Sequence, residues 1–431
     1  MLRGNLEYKM ASVMKRHWDP AHGSGLPRRD RQGCEYAAYV PDPLMARRIA
    51  LDGLVAADVA DAEAAVARFN LEAVALADSE ALAQLLLRAE AVGSSRVEGL
   101  EIGARRLLRA EAARAAGDEP SDVTAEEILG NISAMAWATE SVANADVITV
   151  EHLLEIHRRL LAGTRLAERG GRIRVDQNWI GGSSFNPCSA TFIPPPPEQV
   201  PALLEDLCTF CNQDGLPAIA QAAIAHAQFE TIHPFDDGNG RTGRALIHVV
   251  LRRRGLAPRV LPPVSLILAT WAADYVSALT DTRYVGDASS PAAHDGLNRW
   301  VALFATATRR AVTDVEAYEE EIRLLRTAWR ARLGQVRRNS ATDLLLSALP
   351  GTPIITVGGA VQLIHRTFQA TNAAMTRLVE AGVLTQVKIG RRNRAFEAPE
   401  LIEAFTNLER RAASPAGDAQ ASPPSRLTPR R

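Results

Sequence analysis

Aromatic residues make up only 5% of this 431-residue chain, and cysteine occurs just four times, at Cys34, Cys188, Cys208 and Cys211. Four scattered cysteines are too few for a disulfide framework. Cys208 and Cys211 form a CxxC, but it lies within a helical pattern and has no second pair to complete a zinc site. Charge of one sign is also missing. Lys and Arg number 49 against 50 Asp and Glu, a formal net charge of −1. Whole-molecule electrostatics therefore points to neither a nucleic-acid coat nor a membrane surface, and any basic patch must be local. No apolar run approaches the roughly 20 residues that span a bilayer, so no membrane partner is expected. Residues 1–31 lack the apolar core of a signal peptide, which makes the cytoplasm the default location.

What is present is the balance of a globular protein, 47% hydrophobic and 23% charged, in a chain long enough for two or three domains. The fold class it predicts is mainly α. Apolar residues recur at helical spacing through 58–75, 79–91, 124–142, 149–161, 198–211, 219–232 and 241–254. Ser79, Thr124 (with Glu127 in a capping box) and Thr149 are the expected N-caps. Residues 1–34 and 412–431 read as disordered ends. Between them lie an N-terminal helical segment over 35–120 and a helical core over 121–335. Two short apolar pieces, 178–180 and 191–193, suggest a β-hairpin ahead of the run Pro194–Pro197. Over 340–405, three helical segments followed by two short strands have the layout of a winged helix-turn-helix domain.

The chemistry concentrates in His233-Pro234-Phe235-Asp236-Asp237-Gly238-Asn239-Gly240-Arg241-Thr242-Gly243-Arg244. Gly238 and Gly240 let successive N–H groups converge on an anion. The helix starting near Arg241 adds free donors and the positive end of its dipole. Arg241 and Arg244 sit where cations are normally unwelcome, which makes sense if phosphates are expected there. Asp237 is a carboxylate suited to Mg²⁺. Asn239 is able to hydrogen-bond a phosphate oxygen. His233 can take a proton near neutral pH, and Phe235 anchors the loop to the core.

This string resembles the signature of the Fic family, H-x-F-x-D/E-G-N-G-R-x-x-R, and matches it throughout. Tyr36–Leu44 resembles the opening of the family's N-terminal segment, and 170–197 its flap. The resemblance implies a Fic-fold helical core with a β-hairpin flap, and a protein adenylyltransferase moving AMP from ATP to a Ser, Thr or Tyr hydroxyl of a target protein and of itself. His233 would be the base. Asp237 would hold Mg²⁺, and Gly238, Asn239, Gly240, Arg241 and Arg244 would hold the ATP phosphates. Trp179, Ile180, Phe192 and Ile193 would form the edge that binds an extended target segment, unless the hairpin is an ordinary surface turn. Tyr275 falls where many relatives have an aromatic residue near adenine, with core packing as the alternative. Another transfer or an AMP-removing activity on the same fold is the alternative reaction.

Upstream, Ser94-Ser95-Arg96-Val97-Glu98-Gly99 resembles the family's inhibitory motif, S/T-x-x-x-E-G/N. By that resemblance Glu98 pairs with Arg244 in place of the γ-phosphate. Read without it, Glu98 is a solvated residue at a helix end capped by Gly99. In the C-terminal unit Lys388, Arg391, Arg392 and Arg394 form a basic wing, and Asn372, Thr376 and Arg377 lie on the presumed recognition helix. DNA binding by a regulator and contact with another protein are both open readings of that unit, and the oligomeric state is open between monomer and homo-oligomer.

Overall fold

The apolar periodicity becomes helix along nearly its whole length in a computed structural model, which describes residues 10–19, 27, 30–75, 79–118, 122–142, 145, 147–389 and 393–414. The order is β1 (Ser12–Trp18), β2 (Cys34–Val40), α1 (Gly53–Ala75), α2 (Ser79–Val97), α3 (Ala104–Ala115), α4 (Val123–Trp137) and α5 (Val150–Leu161). Then come α6 (Val200–Cys211), α7 (Ala218–Ile232), α8 (Asn239–Arg253), α9 (Val264–Thr270), α10 (Ala272–Asp281) and α11 (Pro291–Leu333). The C-terminal part holds α12 (Ala341–Ala348), β3 (Ile354–Thr356), α13 (Val357–Ile364), α14 (Phe368–Glu380), β4 (Thr385–Ile389), β5 (Asn393–Glu397) and α15 (Pro399–Ala413). The described residues are thus mainly α, as expected. None of their helices is long and apolar enough to cross a membrane.

Helices α7 and α8 form the buried centre, and every residue of α8 from Asn239 to Leu251 is buried. The 43-residue α11 starts at the N-cap Ser290, with Pro291 pre-set in its first turn, and runs across α1, α7, α9, α10 and α15. Trp300 anchors it, its indole N–H donating to the Ala223 carbonyl at 2.7 Å. Thr149 caps α5 as expected, but α4 starts one residue earlier than predicted. There Asp122, not Thr124, accepts from the Ala125 N–H at 3.3 Å.

Three differences from the sequence reading stand out. Residues 12–18 are not disordered: they form β1, antiparallel to β2 from Ser12↔Val40 to Trp18↔Cys34. Charged Lys15 and Arg16 mask the alternation there, and the paired residues lie 16 to 28 positions apart in sequence, too far for a tight-turn signal. Two cysteines are bridged, Cys34 to Cys188, across 154 residues of sequence, because β2 runs beside the loop that carries Cys188. Helix α15 also continues past residue 405, where the expected C-terminal unit stops, and reaches Ala413. The rest of the expected tail, residues 415–431, lies outside the described residues. Cys208 and Cys211 are buried on α6, where burial pushes the Cys208 thiol up to about 12; they are core residues.

Candidate functional site

The site is built at the junction of α7 and α8. Helix α7 ends at His233, whose φ of 50° turns the chain into the left-handed region and out of the helix. Two side chains from the 170–197 segment hold that turn: Arg174 Nε donates to the His233 carbonyl at 2.9 Å, and Asn178 Nδ2 donates to it at 3.2 Å. Phe235 is fully buried and stacks on His157, ring centroids 3.8 Å apart. The Gly171 N–H donates to His157 Nδ1 at 3.0 Å, so Nε2 carries the hydrogen and donates to the Asp237 carbonyl at 2.9 Å. None of Arg174, Asn178 and His157 was given a site role by the sequence. Their only signal is polarity inside otherwise apolar or turn-rich stretches.

Asn239 has a different place from the one expected. Its amide clasps the loop, Oδ1 accepting from the Phe235 N–H and Nδ2 donating to the Phe235 carbonyl, both at 2.8 Å. A buried side-chain amide engaged at both ends orders the loop and does not face a phosphate. Tyr275 also departs from expectation. It is 3% exposed, its hydroxyl lies 2.8 Å from His226 Nε2, and its ring packs near Trp300. It sits beneath Arg244 in the core and is shut away from any adenine base.

The two arginines are buried at the N-terminus of α8. Arg244 donates from Nε to Ser94 Oγ at 3.0 Å, and from Nη2 to the Ser94 carbonyl at 2.7 Å and to Glu98 Oε1 at 2.6 Å. Glu98 caps α2. Gly99, at φ +80°, closes a Schellman turn in which the Leu100 N–H reaches the Ser95 carbonyl and the Gly99 N–H reaches the Arg96 carbonyl. The turn aims the Glu98 carboxylate at the first turn of α8, so close that a methyl group at Gly240 would collide with it. The carboxylate therefore lies where the helix N-terminus favours an anion. Burial opposes the charge on Glu98, but Arg244, with help from Arg241 and His233, overrides it and holds the carboxyl below its usual range. Burial likewise opposes the charge on Arg244, and Glu98 outweighs it.

Arg241 is 5% exposed, and its Nε and Nη1 have no hydrogen-bond partner. The nearest carboxylates are Asp237 Oδ1 at 3.5 Å and Glu127 Oε2 at 3.7 Å. Beside it opens a cavity of about 260 Å³ lined by Glu98, Glu127, Asp237, Arg241, Leu161 and Leu166. Unmatched buried donors next to a cavity ask for an acceptor. The Asp237 side chain is half exposed on the cavity wall, which suits a divalent cation that takes one or two protein carboxylates and completes its shell with phosphate and water. No group of three or more His, Cys, Asp or Glu side chains poised for a metal occurs among the described residues.

His233 has its pKa pushed by burial to about 4, against a contact with the Glu230 backbone that raises it, so the imidazole is neutral at pH 7. Glu230, one helical turn before it, is raised by burial to about 7, with Arg244 pulling it down and Glu98 pushing it up. Burial also depresses His157 to about 4 and His226 to about 3. Between the ordinary value of 6.5 and these folded values the unfolded chain binds protons that the folded chain refuses. Stability is therefore fully present above pH 6.5 and is lost as pH falls through that window. The loss is on the order of 1–3 kcal/mol for each of the two fully buried rings, His157 and His226. Glu230, whose folded value lies above its ordinary one, acts in the opposite sense over the same range, so the fall in melting temperature between pH 6.5 and 4 should be clearest in a Glu230→Gln background, and a flat profile there would contradict the burial argument.

Next to this site the 170–197 segment makes a narrower contact than the expected hairpin. Its pairing is one bridge, Ile180↔Phe192, with the Ile180 N–H donating to the Phe192 carbonyl at 2.8 Å. The chain turns away at Gly181 and Gly182, and the Cys34–Cys188 bond and the edge-to-face contact of Trp179 with Trp18 (centroids 5.3 Å apart) fix the rest. Ile180 is exposed, while Ile193 is buried and accepts at its carbonyl from the Tyr39 N–H of β2. Arg283 lies over the Phe192 ring at 3.6 Å.

Of the residues offered for DNA, Lys388 and Arg394 are exposed, and Arg391 and Arg392 lie outside the described residues. Arg377 faces the other way, donating to the Leu333 and Gln335 carbonyls at the end of α11. Asn372 accepts from Arg394 at 3.2 Å, and the Thr376 hydroxyl donates to the Asn372 carbonyl.

Residues 147–251, which include the whole His233–Arg244 loop, match the Fic/DOC family, and residues 56–140 match the Fic/DOC family N-terminal region. The chain carries a Fic domain. The protein adenylyltransferase fic-1 of Caenorhabditis elegans is 34% identical over 162 residues, covering 36% of this chain and 30% of that protein. The protein adenylyltransferase Fic of Drosophila melanogaster is 36% identical over 139 residues, covering 32% and 26%. The chain thus spans about a third of the length of the curated relatives it matches. Among solved structures, a Fic family protein from Desulfovibrio desulfuricans G20 superposes with a TM-score of 0.49 at 19% identity, covering 81% of this chain and 97% of that one. The Fic match covers α5 to α8, while Glu98 falls within the N-terminal match, so the two halves of the Glu98–Arg244 pair come from the two matched regions.

Proposed function

We propose that this Fic domain transfers AMP from ATP to a hydroxyl side chain of a protein target, and that Glu98 restrains the reaction. The observation that carries the reading is the anion-seeking N-terminus of α8: Gly238 and Gly240, two buried arginines and unmatched Arg241 donors at a cavity, beside a histidine that is neutral at pH 7. The curated relatives bear the name protein adenylyltransferase, which favours AMP as the group moved.

The reaction that these residues can support is a single displacement. The target hydroxyl oxygen attacks the α-phosphorus as His233 takes its proton. The bond from that phosphorus to the bridging oxygen breaks, and pyrophosphate leaves. Such transfers depend mainly on positioning and charge neutralisation, which is what Arg241, Arg244 and the N–H groups of Gly240 and its neighbours would provide. Asp237 would hold Mg²⁺, whose contribution when bound is to neutralise the charge of the phosphates. The exposed Ile180 and the adjoining bridge with Phe192 would seat an extended target segment by strand addition. With Glu98 on Arg244, that guanidinium is not free for the γ-phosphate, so ATP would lie with its α-phosphate poorly placed for attack.

The test is incubation with ATP and a cell lysate, with and without Mg²⁺, followed by mass spectrometry of the modified proteins. Addition of AMP to Ser, Thr or Tyr that depends on Mg²⁺ is the expected result, and Asp237→Ala should lose that dependence together with most of the activity. Full activity of Asp237→Ala without any divalent ion would overturn the metal assignment. Phosphate found in place of AMP would overturn the reaction.

A further inference from the structure

Helix α2, which ends at Glu98, is gripped by the C-terminal part of the chain close to that residue. Arg96 Nη2 donates to Glu409 Oε1 of α15 at 2.6 Å, with the two side chains 7% and 0% exposed. Further along α2, Arg88 Nη1 donates to the Gly351 carbonyl, in the turn before β3. Helix α15 is itself fixed from behind: the Ala412 carbonyl accepts from the Thr270 hydroxyl at 2.6 Å, and the Arg411 and Ser414 carbonyls accept from Arg310 Nη2 at 3.1 and 2.8 Å.

A buried Arg–Glu pair is an inefficient way to stabilise a core, because desolvation offsets most of the attraction, and apolar residues of similar volume often do as well or better. Here the second oxygen, Glu409 Oε2, is buried without a hydrogen-bond partner, which makes the pair costlier still. Removing one partner leaves an uncompensated buried charge, so the last turn of α2 should shift when the pair is broken. That turn contains Ser94, which holds Arg244, and it ends on Glu98 two residues after Arg96. Besides Arg244 and the packing of α2 against α4 and α9, the polar hold nearby is Asn131, whose Nδ2 donates to the Ala91 carbonyl and to Ser95 Oγ at 3.0 and 3.1 Å.

We propose that Glu409 is a positioning residue which, through Arg96, holds the end of α2 in place and so keeps the Glu98 carboxylate on Arg244. The C-terminal helix thereby sets how firmly the site is restrained, a role that rests on the reading of Glu98 as a restraint. Displacement of α15 would release the site without any change to the residues that bind ATP.

The experiment measures the initial rate of AMP labelling for the full chain as parent, Glu409→Gln, Glu98→Gly and the double variant, with melting temperature in parallel. Glu409→Gln should raise the rate on the order of tenfold by shifting the population away from the restrained state, and should add nothing in the Glu98→Gly background. A merely structural role would change the rate alike in both backgrounds, and that result, or no change in either, overturns the proposal. Should Glu409→Gln fail to melt cooperatively, Arg96→Gln breaks the same contact from the other side and is judged by the same two outcomes. If Glu98→Gly gains over the parent and neither variant does, this inference alone falls. If Glu98→Gly gains nothing, the restraint reading falls and this one with it.

Discussion

His233→Ala should abolish AMP transfer while ATP binding stays close to that of the parent. Burial leaves the His233 imidazole neutral at pH 7, so it can accept a proton as the target oxygen attacks. A positioned general base contributes about 10² to 10⁴ in rate, and the substitution removes that without touching Arg241, Arg244 or the N–H groups of α8. The backbone of the loop should survive, because Arg174 and Asn178 hold the residue through its carbonyl and not its ring. Nucleotide affinity by calorimetry and initial labelling rate separate the two effects. A mutant that labels at the parental rate would show that the proton leaves by another route.

Glu98→Gly should move the rate in the opposite direction. Its carboxylate lies against Gly240 at the N-terminus of α8 and accepts from Arg244. Removing it frees a buried guanidinium and the first-turn N–H groups together. A misplacement of about 1 Å can cost on the order of 10²-fold in rate, and a gain of that size is expected once the α-phosphate can settle in line. The gain should appear in turnover more than in ATP affinity. Adding Arg244→Ala should erase it, since the guanidinium is the group both the carboxylate and the phosphate need. Equal rates for parent and Glu98→Gly would reduce Glu98 to a helix-end residue, and an active double variant would exclude Arg244 as the shared partner.

The chemistry of the loop was legible because it is local. Two glycines, a helix start and two arginines within twelve residues have few other uses. The same holds for the cap that directs Glu98, where Gly99 follows the last turn of α2. What the sequence concealed is decided over long separations. Asn239 is equally able to bond a phosphate or a backbone, and only the proximity of Phe235 settles which. Tyr275 sits at a plausible sequence distance from the loop, but the packing of His226 and Trp300 draws it into the core. The Cys34–Cys188 bond spans 154 residues, and β1 is recognisable as a strand only once β2 is beside it. Arg174, which fixes the His233 turn, looks in sequence like one more charge in a Gly-rich segment; its role emerges from being 3% exposed with three backbone carbonyls within 3.2 Å of its guanidinium.

Which phosphorus is attacked decides the account most directly. Parallel reactions of Glu98→Gly with ATP labelled at the α-phosphate and with ATP labelled at the γ-phosphate read it without any knowledge of the target, through self-labelling or labelling of lysate proteins. Label should reach protein from the α position and not from the γ position, with pyrophosphate released in step. Label from the γ position, or none from either under conditions where ATP binds, would contradict AMP transfer by this site.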